Sequence, residues 1–235
     1  PIQQAYVLGR GDVAAHVFSQ HDVSGLDLTR LQQAWMALCA RHPALRLRID
    51  MGEWPLQRVA PLNTHAAPLP AGWHTHDWRE LDAPTAQARL DELVARVSHQ
   101  VLPLDGPLYA VHVVMLPAER DGAAPRTPRA QLLIGIDMLL ADAASLYTLL
   151  ADWGRLYAGQ ALTPLAIDFA SLRRAHPELP DDAPARQVAR QAWLARWPEQ
   201  PGASELPRHT PADPANAHRF SRRALTLDAP RWQAL

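Results

Sequence analysis

Residues 131–145 read QLLIGIDMLLADAAS, and this stretch decides the fold class. Its first half, Gln131 to Asp137, is strongly apolar, as expected of a strand that is buried on both faces. A second apolar run, Tyr109 to Leu116, precedes it, and a polar connection rich in Pro and Gly separates the two. We predict that both runs are strands, paired antiparallel, with an exposed hairpin loop over 117–129.

Helical patterns alternate with these strands. Asp142 precedes a long apolar stripe of helical period, and Gly159 follows the stripe, as at the C-terminus of a helix. Asp27 and Asp82 precede two similar stripes. We therefore predict three helices that begin after these aspartates, and a fourth helix over 185–197.

The remaining periodicity completes the predicted fold class. Strict alternation over 45–50 predicts a strand with one buried face, whereas 52–78 shows little periodicity and is interpreted as irregular. Shorter strands are predicted over 15–19, near 57–59 and over 219–227. Because strands and helices interleave with antiparallel pairs, the predicted class is α/β, as a two-layer α/β sandwich rather than a doubly wound parallel sheet.

Composition excludes several function classes. The 235 residues include 23 basic and 24 acidic side chains, and nucleic-acid binding needs a concentrated excess of positive charge. Every basic residue is Arg, and a chain without Lys has neither Schiff-base chemistry nor a Walker-type phosphate loop. No apolar run approaches the roughly 20 residues that a membrane helix needs.

The single cysteine, Cys39, sets the expected redox setting. One cysteine forms no disulfide within the chain and no cysteine-based zinc site. Cys39 lies on an apolar helical stripe, so we expect a buried structural thiol rather than a nucleophile. A reducing, cytoplasmic location is the natural expectation.

A metal site has only weak support. His74 and His76 are two residues apart and share one face if this segment is a strand, and Asp77 follows them. A further ligand is not identifiable, and such pairs are common in a chain with 11 histidines. We therefore predict no metal ion.

Two carboxylates stand out because their surroundings are apolar. Asp137 and Asp142 lie where the predicted buried strand meets the predicted helix, and burying a carboxylate is costly unless it is paired or hydrogen-bonded. Both are candidates for function. The alternatives are structural, because Asp142 is well placed as a helix N-cap and Asp137 as a strand-end carboxylate held by an arginine.

The spacing Asp137-x4-Asp142-x2-Ser145 resembles the signature of heterocyclization domains of nonribosomal peptide synthetases. These domains are variants of condensation domains, in which Asp-x4-Asp-x2-Ser replaces the usual His-His-x-x-x-Asp-Gly motif. Residues 1–10, PIQQAYVLGR, resemble the opening motif of the same domains, and residues 41–46, RHPALR, resemble the second motif. The three motifs occur in the family order across the first two-thirds of the chain.

Met138 distinguishes between the members of this superfamily. It takes the place of the catalytic histidine of ordinary condensation domains, and a thioether accepts no proton at neutral pH. The substitution argues against a plain condensation domain, an epimerization domain or a related acyltransferase. It leaves a heterocyclization domain, or a degenerate, non-catalytic condensation-like module that docks carrier proteins.

The resemblance implies a chloramphenicol-acetyltransferase-like lobe, one of two that enclose a tunnel. It implies an N-terminal lobe over 1–165, a helix and Pro-rich linker over 166–217, and the start of a second lobe over 218–235. The implied catalytic residues are Asp137 and Asp142. The residues implied at the motif or tunnel are Ser145, Met138, Gln4 and Tyr6.

The implied reaction has two steps on carrier-bound thioesters. An acyl or aryl group is condensed with Cys, Ser or Thr on a downstream carrier, and cyclodehydration then gives a thiazoline or oxazoline, with siderophore biosynthesis as a suggested context. No cofactor is bound directly, because phosphopantetheine arms carry the substrates. The implied partners are upstream and downstream carrier proteins, the second lobe and an adenylation domain. Catalysis by positioning needs both walls of the tunnel, so we expect the 235-residue chain alone to be inactive.

Overall fold

The structure of the chain, a computed structural model, describes residues 16–53, 55–62, 69–118, 129–175, 183–200, 202 and 225–234. The strands within these ranges are β1 His16–Ser24, β2 Leu47–Met51, β3 Pro55–Val59, β4 Trp73–Asp77, β5 Tyr109–Leu116 and β6 Arg129–Asp137. The helices are α1 Leu28–Arg41, α2 Ala83–Val97, α3 Ala143–Tyr157, α4 Phe169–Ala175, α5 Pro184–Arg196 and α6 Ala229–Gln233. Single 3₁₀ segments cover Pro43–Arg46 and Trp197–Glu199.

The main sheet is built around the predicted antiparallel pair. Its strand order is β1-β6-β5-β4, and the centre of β5 and β6 pairs Val111 with Ile134. β1 lies antiparallel to β6, whereas β4 lies parallel to β5 at the opposite edge. β2 and β3 form a separate antiparallel hairpin. The α/β class is thereby confirmed.

Helices α1 and α3 form a layer that covers one face of this sheet. Its centre is Trp35, whose ring centroid lies 5.1 Å from that of Tyr109 on β5 and 4.8 Å from that of Trp153 on α3. Trp73 on β4 is 6.0 Å from Trp35. Tilted and edge-to-face aromatic contacts of this kind add to the stabilisation that burial provides. They join four elements that are far apart in the sequence.

The other face of the sheet is covered by α2. Successive side chains of a strand point to opposite faces, so every second residue of the two central strands faces α2. The buried stripe of α2 packs on these residues. This second cluster consists of Ala86, Leu90, Leu93, Val97, Val114, Leu116 and Leu133. The two central strands are therefore buried on both sides, as their continuous apolar sequence predicts.

The helix predictions from N-cap residues are confirmed. Asp27 accepts a hydrogen bond from the backbone N–H of Arg30 at 3.0 Å, and Asp82 accepts one from Thr85 at 2.8 Å. Each satisfies a backbone donor that the first turn of a helix leaves unpaired. The predicted helix over 185–197 is observed as Pro184–Arg196. No helix in the described part of the chain is long and apolar enough to cross a membrane.

Other boundaries needed correction. The strand predicted over 45–50 begins only at Leu47, because Pro43 opens a 3₁₀ turn that consumes the preceding residues. β4 lies inside the stretch interpreted as irregular; it is an edge strand that buries Trp73 and exposes most of its other side chains, so apolar alternation is missing. β1 runs to Ser24, well beyond the predicted 15–19.

Some predictions fall largely outside the described residues. The hairpin loop predicted over 117–129 is described only at its ends. The strand predicted over 219–227 is described only from 225 onward, where the backbone is irregular. The short helix α4 was not predicted, and it buries none of its residues.

A pair of substitutions on α1 tests the position of the core. Leu38 is 0% exposed, so Leu38→Ala should lower the free energy of unfolding by about 2–5 kcal/mol. Met36 is 41% exposed on the same helix, and Met36→Ala should change it by less than about 0.5 kcal/mol. Urea unfolding of the two variants measures both values, and equal destabilisation would contradict this assignment of the buried face.

Candidate active site

Asp137 is the last residue of β6, and it is 1% exposed. Its carboxylate Oδ1 accepts a hydrogen bond from the backbone N–H of Leu139 at 2.9 Å. Its carbonyl oxygen accepts another from the N–H of Leu140, also at 2.9 Å. The Asp137 carboxylate therefore closes the turn that leads the chain out of the sheet.

Asp142 is the N-cap of α3. Its carboxylate accepts a hydrogen bond from the backbone N–H of Ser145 at 2.8 Å. Hydrogen bonds from the Ser145 side chain and backbone hold the pKa of Asp142 below its ordinary value. The carboxylate is exposed, so the structural alternative for Asp142, a helix cap, is observed directly.

The segment 137–145 thus separates its two acids. Asp137 points into the protein, whereas Asp142 and Ser145 are exposed and hydrogen-bonded to each other. Met138, predicted to take the place of the catalytic histidine of ordinary condensation domains, is 58% exposed. Gln4 and Tyr6, predicted at the tunnel, lie outside the described residues. The described part of the predicted site is therefore the junction between β6 and α3.

A partly buried cluster of Asp152, Arg41 and His42 was not predicted from the sequence. Asp152 on α3 accepts hydrogen bonds from Arg41 Nε at 3.0 Å and from His42 Nε2 at 2.9 Å. Burial raises the pKa of Asp152, but the hydrogen bonds from His42 and Arg41 outweigh it and keep the pKa below its ordinary value. Arg41 also donates to the Thr163 carbonyl at 2.6 Å. The signal in the sequence was an Asp next to Trp153 on the apolar stripe of α3.

The Arg41 side chain also borders an open cavity of about 560 Å³. This cavity lies between the ends of α1 and α3 and the segment that leads to α4. Its lining includes Leu156, Leu165, Asp168 and Ser171. Asp137 and Asp142 do not line it, so it is separate from the β6–α3 junction.

The two histidines considered as metal ligands meet another histidine across the sheet. His76 Nε2 lies 3.1 Å from His112 Nδ1, and the ring of His74 stacks on that of His112 with centroids 4.4 Å apart. Asp77 pairs instead with Arg79 at 2.8 Å. Among the described residues, no group of three or more His, Cys, Asp and Glu is arranged to hold a metal ion.

Desolvation keeps the histidine cluster, which consists of His74, His76 and His112, uncharged. Desolvation, together with smaller effects of the nearby His74, His76 and Arg96, lowers the pKa of His112 to about 3. Desolvation is also the main cause of the lowered pKa of His74 and of His76. The three rings therefore pack on the sheet in their neutral form at pH 7.

Cys39 is confirmed as a buried thiol. Its Sγ lies 3.8 Å from the hydroxyl of Tyr109. Burial raises its pKa to about 11, so the thiolate that a nucleophile needs is scarce at neutral pH.

Mild acid should destabilise the chain through the histidine cluster. An unfolded histidine takes up a proton near its ordinary pKa of 6.5, whereas folded His112 stays neutral down to a pH of about 3. Stability should therefore fall as the pH drops below 6.5, because the unfolded state binds more protons. Urea midpoints at pH 7.5, 6.0 and 5.0 measure this loss.

Two variants test whether His112 causes this loss of stability in mild acid. His112→Leu should flatten the pH dependence between 6.5 and 5. His21→Gln, at an exposed position on β1, should leave the wild-type dependence unchanged. A wild-type slope in His112→Leu would contradict the assignment.

Comparison with known proteins agrees with this geometry, although no protein-family model matches the chain. The phenyloxazoline synthase MbtB of Mycobacterium sp. (strain MCS) is 34% identical over 234 residues, which are 97% of this chain and 18% of the relative. The pyochelin synthetase PchF of Pseudomonas aeruginosa is 33% identical over 253 residues, covering 100% of this chain and 12% of the relative.

A solved structure gives the same result. The cyclization-docking bidomain of the nonribosomal peptide synthetase EpoB from Sorangium cellulosum superposes with a TM-score of 0.68 and 26% identity, over 85% of this chain and 38% of that one. The chain thus spans less than a fifth of the curated relatives and about two-fifths of the bidomain. The chain belongs to the heterocyclization domains of nonribosomal peptide synthetases, within the condensation-domain superfamily.

Proposed function

We propose that this chain contributes one lobe of a domain that forms a thiazoline or oxazoline ring on carrier-bound substrates. The observation that carries the proposal is the Asp137-x4-Asp142-x2-Ser145 segment, placed where a buried strand turns into a helix. Support also comes from relatives named as a phenyloxazoline synthase and a pyochelin synthetase. By analogy with these relatives, we assign the parent protein to siderophore biosynthesis.

The proposed reaction balances in two steps. The amine of a carrier-bound Cys, Ser or Thr attacks the thioester carbonyl of the upstream acyl or aryl group; an amide C–N bond forms, the C–S bond breaks and the upstream carrier thiol leaves. The side-chain thiol or hydroxyl then attacks the new amide carbonyl. This attack forms the C–S or C–O bond that closes the five-membered ring. The former carbonyl oxygen, now a hydroxyl, then leaves as water together with the N–H proton, which creates the C=N double bond of the thiazoline or oxazoline.

We assign structural rather than proton-transfer roles to the two acids of this lobe. Asp137 is buried and holds the turn after β6, so it shapes the wall that carries Met138. Asp142 caps α3 and fixes where this helix begins. The thioether of Met138 accepts no proton, so catalysis on this wall depends on holding the reactants close together.

The proposed partners follow from the substrates. Upstream and downstream carrier proteins would present them on phosphopantetheine arms, without a cofactor bound by this chain, in the cytoplasm. The rest of the domain would supply the opposite tunnel wall, and an adenylation domain would load the downstream carrier. Helix α5 exposes Trp193 and Leu194, followed by Trp197, and we propose that this apolar surface packs against the rest of the domain.

Four variants of the complete synthetase test the roles of the two acids. Asp137→Asn and Asp142→Asn keep an oxygen acceptor for the backbone N–H groups of Leu139 and Ser145, so both should retain close to the wild-type rate of product formation. Asp137→Ala and Asp142→Ala remove the acceptor and should lower both the rate and the urea midpoint. Reconstituted assays with loaded carriers, analysed by mass spectrometry, measure the rates.

Two outcomes would contradict the structural roles of Asp137 and Asp142. If either Asn variant loses about 10²–10⁴-fold in rate with an unchanged urea midpoint, that carboxylate acts as a proton acceptor. If all four variants form product at the wild-type rate, neither acid contributes to the reaction, and the structural roles proposed for both are wrong.

The 235-residue chain alone should form no condensation or cyclization product with loaded carriers, since one wall cannot position both substrates. It should also self-associate in gel filtration, through the exposed tryptophans of α5 and its C-terminal 3₁₀ turn. The double variant Trp193→Gln/Trp197→Gln should reduce the association. Product from the chain alone, or a wild-type monomer that binds no apolar dye, would contradict these expectations.

A further inference from the structure

A narrow cavity lies between the sheet and the end of α2, on the face opposite Trp35. Ala110 and Gly135, which pair directly across β5 and β6, form its floor and contribute little side-chain volume. Its volume for the centre of a water molecule is about 10 Å³. The lining consists of His16, Phe18, Val97, Gln100, Leu102, Ala110, His112, Leu133 and Gly135.

His112 has an unsatisfied polar atom in the lining of this cavity. The side chain is 7% exposed, and its Nδ1 lies 3.1 Å from His76 Nε2. Its Nε2 is shielded from solvent and has no hydrogen-bond partner among the described residues. A neutral imidazole has one donor and one acceptor nitrogen, so either tautomer leaves Nε2 with one hydrogen bond to make. A buried polar atom of this kind calls for a partner.

The shape and chemistry of the cavity select the partner. A volume of about 10 Å³ for the molecule's centre is enough for a single water and too small for an organic ligand. Water donates and accepts, so it fits either tautomer of His112. Buried waters make about three hydrogen bonds, and the side chain of Gln100 supplies another polar group in the lining.

His16 forms the opposite side of the cavity. Its ring covers Gly135: a Cβ added to this glycine would lie 3.4 Å from His16 Cδ2 and 3.8 Å from Nε2. His16 is also the register partner of Asp137 across β1 and β6. Directly opposed residues of an antiparallel pair project to the same face, with Cβ atoms about 4.5–5.5 Å apart.

We propose that this cavity binds one buried water molecule, which hydrogen-bonds to His112 Nε2 and links this ring to His16, the residue opposite Asp137. The water connects the histidine cluster on β4 and β5 to the strand end that carries the candidate site. Because His16 is the register partner of Asp137, holding the His16 ring in place makes it a positioning residue for this strand end. This last consequence rests on the proposed function, whereas the water site itself does not.

A crystal structure of the complete protein, at a resolution that shows ordered water, tests the site directly. We expect one well-ordered water within about 3.2 Å of His112 Nε2 that also contacts His16 or Gln100. In His112→Leu, which keeps a side chain of similar bulk but removes the nitrogen, the water should be lost. A dry wild-type cavity, or the same water at full occupancy in His112→Leu, would overturn the proposal.

A glycine pair tests the link to Asp137. Gly135→Ala places a methyl group against the His16 ring, so it should displace the water and lower kcat while leaving KM for both carriers unchanged. Gly154→Ala is the matched control: its added Cβ meets nothing within 4 Å, so kcat should stay at the wild-type value. An unchanged kcat in Gly135→Ala, with the water displaced, would remove His16 from its positioning role. If Gly135→Ala does not fold, kcat and KM of His112→Leu provide the same test.

The two proposals fail separately. If Asp137→Ala shows no effect on product formation or on the urea midpoint, the proposed role of Asp137 is wrong, while the water site is still decided by the crystal structure. If the cavity is dry, the water site is wrong, and the role of Asp137 is still decided by its own variants.

Discussion

The constraint on which the structure depends is the burial of two adjacent strands on both faces. Every residue of β5 and all but the first residue of β6 are buried, with α1 and α3 on one side and α2 on the other. Any polar group in this pair must find a partner inside the protein, because unpaired burial costs free energy. Gln131 accepts from Gln20 at 3.2 Å, and Asp137 accepts from Leu139. The few buried polar groups of β5 and β6 are therefore the places where a specific hydrogen bond is required.

The candidate site follows from this constraint. The buried strand ends at Asp137, whose carboxylate turns the chain, and five residues later Asp142 starts the helix that packs on the same sheet. The motif spacing therefore matches a structural unit of strand end, turn and helix cap. Met138 is exposed at this turn. Local hydrogen bonds thus fix the geometry of this junction.

Much of the fold could be predicted because its signals are local. Continuous apolar sequence marked β5 and β6, and capping aspartates followed by apolar stripes marked α1, α2 and α3. The edge strand β4 was not predicted, since its histidines and threonine show no apolar alternation. The cluster of Asp152 with Arg41 and His42 was not predicted for another reason. Asp152 is more than 100 residues from Arg41 and His42, and only packing of α1 against α3 brings them together.

The sequence by itself determined the family, through three ordered motifs, and the local roles of the caps, because a cap involves residues only three positions apart. Only the tertiary structure decided which of the two motif acids is buried, and which histidines meet. His74 and His76 came from one segment, but His112 joined them because β4 lies parallel to β5 in a register that pairs His74 with His112. Strand register is a long-range property, so no local pattern contains it.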